Sequence, residues 1–249
     1  MPYYSVKIAG QVVEITALYE KTLSFFRNYL CDDPTDFSVT VTSEDIVLER
    51  QKSAREDELE GLPIRNLPDE LLERTALQRK IVELLFERDI LLFHGSAVEV
   101  DGHAYLFTAK SGTGKSTHTG LWRQVLGNRV RMINDDKPFL RFEEDRILVC
   151  GSPWNGKHNL GSNICVPLKA ICILERGAQN RICSISAKDA LNMLFQQSQR
   201  PANRKNLAKY MELIDRLAAQ CEFFRMSCNM DPEAACVSYK AMSGERKSE

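Results

Sequence analysis

The stretch Ala109-Lys110-Ser111-Gly112-Thr113-Gly114-Lys115-Ser116-Thr117 carries the residue types of a phosphate-binding loop in the order such a loop needs them. A chain that wraps a triphosphate must turn several backbone N–H groups toward its oxygens. Gly112 and Gly114 permit the close approach and positive φ this takes. Lys115 can reach the β- and γ-phosphates as a point charge, and the Ser116 hydroxyl can sit on Mg²⁺. Ala109 stands where glycine is usual. Ser111 through Thr117 are therefore the expected nucleotide-binding residues, with ATP and Mg²⁺ as their ligands.

A loop of this kind works between a strand and a helix, and both are written around it. His103 to Thr108 is apolar and β-prone, and Thr117 to Leu126 places Leu121, Trp122, Val125 and Leu126 at helical spacing before Gly127 stops the run. The helix adds its positive N-terminal end to the anion site. Upstream, Asp101-Gly102 separates two β-prone runs, a strong hairpin signal. The strand entering the loop is then antiparallel to its predecessor, so the expected fold is α/β with a mixed sheet.

Val130 to Ile133 reads as a return strand, and Asn134-Asp135-Asp136 follows it. Carboxylates at the end of a strand neighbouring the loop strand would sit beside the phosphates. Phosphoryl transfer needs an oxygen ligand for Mg²⁺ and a base for the acceptor's proton, and two adjacent Asp residues can divide these tasks. The other reading is an Asx turn closing the strand. Two readings also fit Gly151 to Gly161. Its Lys157 can neutralise charge on a transferred phosphoryl group while Trp154 walls an acceptor pocket, or the segment is a structural loop with a packed Trp. His94, at a strand end, is either a site residue or a hydrogen-bonded structural one. His118 is expected to pack, His103 to be exposed, and Arg200 and Arg204 to lie in a solvated loop.

In order, His94-Gly95, the hairpin, Ser111-Gly112-Thr113-Gly114-Lys115-Ser116 and Asp135-Asp136 resemble the catalytic core of the HPr kinase/phosphorylase family. The same loop and acidic pair are similar to ATP-dependent phosphoenolpyruvate carboxykinase. The resemblance spans about Ile90 to Cys150. It implies a mixed-sheet kinase core with Asp135 as base, Asp136 as Mg²⁺ ligand and His94 orienting a carboxylate. The chain looks nearest to HPr-kinase-like proteins that phosphorylate other hydroxyl acceptors, including free serine and maturing peptides.

The 249 residues, 43% hydrophobic with a formal net charge of -1, can bury one large core or two modest ones. No basic stripe marks a nucleic-acid binder, and no apolar run approaches the roughly 20 residues of a membrane span. The first residues lack a signal-peptide pattern, so a cytoplasmic protein is expected. Eight cysteines without a Cys-x-x-Cys pair read as reduced, buried thiols.

Residues 1–89 are expected to form an α+β module, possibly substrate-binding, and 90–249 the kinase domain. In the first, two strands precede a helix through Leu30, and a second hairpin turns at Ser43-Glu44-Asp45. Gln51 to Glu60 then reads as a mobile loop, and Pro68 opens a long helix. In the second, Leu168 to Glu175 is a buried strand, with helices near 187–200 and 203–221, a strand at 223–228 and a helix after Asp231-Pro232. The tail past Met242 is expected to fray. The expected function is an ATP-dependent kinase acting on a Ser-like hydroxyl of a small molecule or peptide. The alternatives are a nucleotide-gated regulatory protein and a carboxykinase-like metabolic enzyme.

Overall fold

A computed structural model describes residues 2–244, and the expectation for the tail falls, beyond Gly244, outside them. The chain divides into two units, one ending at Glu87 and the other beginning at Arg88.

In the first unit, β1 (Tyr3–Ile8) and β2 (Gln11–Thr16) form the alternating antiparallel pair that the sequence pattern predicts. The short α1 (Lys21–Phe25) leads to β3 (Phe37–Thr40), which joins β2 in parallel. The expected hairpin at Ser43 and the loop after it are instead one helix, α2 (Ser43–Leu59), and α3 (Asp69–Phe86) follows. Asp45 decides the difference. Its carboxylate accepts the Thr42 amide at 3.0 Å, closing a capping box that starts a helix where the apolar residues alone suggest a strand. Arg79 and Lys80 of α3 both bond the same carboxylate.

The second unit runs β4 (Ile90–Leu92), β5 (Ser96–Val100), β6 (His103–Thr108), α4 (Lys115–Leu126) and β7 (Val130–Asn134). Then come β8 (Phe139–Phe142), β9 (Ile147–Cys150), β10 (Cys165–Arg176), β11 (Arg181–Ile185), α5 (Ala187–Gln197), α6 (Leu207–Gln220), β12 (Glu222–Cys228) and α7 (Glu233–Ser243). All nine strands belong to one mixed sheet. β10 is its spine: β6 and β12 flank it in parallel, and its first three residues pair with β9, from which β8 and β4 continue. Asp101 and Gly102 both take positive φ in the β5–β6 turn, as an Asp-Gly hairpin requires.

Two expectations are corrected here. β7 pairs with β5, not with β6, so the acidic pair comes from two strands away: the hairpin partner β5 fills the place beside the loop strand. The thiols are not uniformly reduced and buried either. Antiparallel pairing sets Cys165 opposite Cys150, 15 residues apart, and the two form a disulfide with Cα atoms 4.1 Å apart. Cys183 and Cys236 are exposed, whereas Cys172 is buried.

The core beneath α4 centres on Trp122. Its ring meets Tyr105 and Phe107 of β6, each at 5.1 Å, and Tyr239 of α7 at 5.5 Å. Trp122 Nε1 donates to Ser238 Oγ at 2.8 Å, so the indole is buried without an unpaired donor.

Acid should probe the Asp45 cluster directly. Burial opposes its carboxylate, but Lys80, the Thr42 amide and Arg79 outweigh that and hold its pKa below the ordinary 3.8. A carboxylate with a lowered native pKa stabilises the fold above its unfolded value, and that contribution is lost as pH falls through the native value. Urea midpoints of wild type should therefore drop below about pH 4, and Asp45→Asn should lower stability at pH 7 while flattening that acid limb.

Candidate active site

Ten of the residues singled out from the sequence line one cavity of about 560 Å³: His94, Ser111, Gly112, Gly114, Lys115, Ser116, Thr117, Asp135, Asp136 and Lys157. Thr113 does not line it and faces a neighbouring cavity instead. Arg200 and Arg204 do not line it and are exposed.

The loop leaves β6 at Thr108 and enters α4 at Lys115. Gly112 and Gly114 have φ of 73° and 121°, so their backbone conformation itself calls for glycine. No side chain caps α4, and its first turn holds no acidic residue. Its leading N–H groups are thus without a side-chain acceptor, at the end of the helix that favours anions. Lys115 Nζ approaches the Ala109 carbonyl at 3.4 Å. Burial pulls the Lys115 ammonium pKa below its ordinary value, while the charges of Asp136 and Asp135 act the other way.

The Asx-turn reading of Asn134-Asp135-Asp136 holds, and Asp135 and Asp136 both line the cavity. The fully buried Asn134 closes an Asx turn, its Oδ1 accepting the amides of Asp136 at 2.8 Å and Lys137 at 2.7 Å. Its Nδ2 donates to Ser152 O at 3.0 Å, which ties the acidic turn to the segment after β9. The turn is what directs the two carboxylates into the cavity. Asp136 Oδ1 lies 3.2 Å from His94 Nδ1. Burial raises the Asp136 pKa, but His94, Lys137 and Lys115 together leave it below the ordinary carboxyl value.

Asp135 is held by a buried chain of hydroxyls that the sequence reading did not foresee. Ser96 Oγ donates to Asp135 Oδ1 at 2.8 Å and lies 2.8 Å from Thr119 Oγ1. A hydroxyl has one proton, so with Ser96 donating to Asp135, Thr119 is the donor in its contact with Ser96. The other oxygen, Oδ2, faces Gly156, where an added Cβ would lie 3.4 Å away. Lys157 and His158 are exposed on the cavity rim. Trp154 is packed edge-on to Phe139 at 6.4 Å and does not line the cavity, so for this residue the structural reading holds.

Arg123 also lines the cavity. Ser116, Gly120 and Arg123 stand at i, i+4 and i+7 on one face of α4, a spacing that was legible in the sequence. His118, by contrast, is buried against Phe107 and Ser238, and burial pushes its pKa down to about 4.

No family model matches this chain. No curated protein matches it either. Among solved structures, the Hpr(Ser) kinase/phosphatase from Coxiella burnetii aligns at a TM-score of 0.36 and 9% identity, covering 61% of this chain and 97% of that one. At that score the likeness assigns nothing to this chain. No described helix is long and apolar enough to cross a membrane.

Among the described residues no three His, Cys, Asp or Glu side chains gather as a ready metal cluster. A hydroxyl and one carboxylate beside an open helix end instead suit a hard cation whose remaining ligands are phosphate oxygens and water.

The Ser96 hydroxyl gives this geometry a direct test. Ser96→Ala removes the proton held by Asp135 Oδ1 and leaves a buried carboxylate oxygen unpaired. Urea denaturation should show a loss of about 1–3 kcal/mol, and a loss within experimental error would mean that the hydroxyl chain is not formed.

Proposed function

We propose that this chain is an ATP-dependent kinase that transfers the γ-phosphate to a Ser-like hydroxyl on a small molecule or peptide. One observation carries the reading: an uncapped helix end bearing Lys115 and Ser116 opens into the same cavity as Asp135 and Asp136.

In this reading the loop amides and Lys115 hold the β- and γ-phosphates. Ser116 and Asp136 hold Mg²⁺, with His94 fixing the orientation of the Asp136 carboxylate. Bound Mg²⁺ supplies charge neutralisation on the phosphate oxygens. Asp135, anchored through Oδ1, takes the acceptor's proton on Oδ2. Lys157 meets the charge of the transferred group from the rim. Residues 90–249 are thus the proposed kinase domain. Residues 1–89, whose three-stranded sheet ends in β1 and β3, are proposed to recognise the acceptor, since an extended peptide can add to a sheet edge.

Incubation with ATP, Mg²⁺ and a panel of serine-containing acceptors should yield ADP and a phosphorylated hydroxyl. Asp135→Asn should lower kcat by about a hundredfold or more while nucleotide affinity stays within a few-fold. Lys115→Met should weaken nucleotide binding itself. Unchanged turnover in Asp135→Asn would end the assignment of the base. Tight nucleotide binding without turnover on any acceptor would favour a nucleotide-gated regulatory protein.

A further inference from the structure

A second cavity, of about 490 Å³, adjoins the first across the glycine loop, and Gly112, Gly114 and Thr117 line both. The two differ in chemistry. The first is walled by lysines, an arginine and two carboxylates. No carboxylate lines the second; Leu121, Leu174 and Met230 do. A nucleotide has this same division, a highly charged end and a flat, largely apolar end, joined by a sugar. We infer that the base of the bound nucleotide lies in the Leu121–Leu174–Met230 cavity, with the sugar crossing the loop at Gly112 to Gly114. This rests on the phosphate assignment above.

Three details fit a base site. His118 lines the cavity with its Nε2 already engaged by Ser238 at 2.9 Å, and its buried Nδ1 has no hydrogen-bond partner among the described residues. Arg176 also lines it and donates to the Gly112 carbonyl. That bond holds the loop from the base side and sets a planar guanidinium where it can stack on a flat ring. Met230 is 77% exposed at the rim, an adaptable apolar side chain with no present burial to explain it. Arg176 is thereby a positioning residue for the loop as well as a wall of the base site.

The test separates the two halves of the ligand. Calorimetric titration with Mg²⁺ compares ATP with inorganic tripolyphosphate, which has the phosphates and no base. ATP should bind at least roughly tenfold more tightly. Met230→Ala, at an exposed position, and Leu121→Ala should each cost ATP roughly three- to tenfold and leave tripolyphosphate affinity unchanged. Equal affinities for ATP and tripolyphosphate, or variants that weaken both ligands alike, would overturn the base site and leave the phosphate site standing. Binding of neither ligand would overturn the phosphate assignment and this inference with it.

Discussion

Two buried hydroxyls join the parts of the site. Thr119 lies one turn into α4 from Lys115, Ser96 begins the strand that separates β6 from β7, and Asp135 follows β7. The chain from Thr119 through Ser96 to Asp135 spans that strand, so the phosphate-facing helix and the acidic turn share one set of hydrogen bonds. In so dry a setting each bond is strong because losing a partner leaves a polar group stranded. The separation between Lys115 and the carboxylates is therefore set by packed secondary structure, not by flexible loops.

The same logic fixes the helix from behind. Trp122 fills the space between β6 and α7, and its N–H is answered by Ser238, whose Oγ also lies 2.9 Å from His118 Nε2. One serine of α7 thus bonds two rings of α4. The loop is pinned at its far side by Arg176, from the end of the spine strand β10.

The sequence showed its chemistry more clearly than its architecture. The residues from Ile90 to Asp136 were legible because glycines, a lysine and an Asp-Gly turn each answer a local backbone or charge requirement. The order of strands was not, since nothing local says that β5 lies between β6 and β7. α2 was misread because its apolar residues are few and it buries Asp45, Glu49 and Asp57 along with Ile46, which leaves no clean helical stripe. The Thr42–Asp45 capping signal was available and stronger than the short β-prone run beside it. Ser96 and Thr119 carry no motif at all. Their role exists only once three elements meet.

The bond between Cys150 and Cys165 brackets the whole segment that brings Gly156, Lys157 and His158 to the cavity. That segment is consequently a covalent ring, whose neck lies between neighbouring strands of the sheet. A protease that nicks its exposed tip around Lys157 would release no fragment: the two halves of the polypeptide stay tethered through sulfur and separate on a denaturing gel only after thiol treatment.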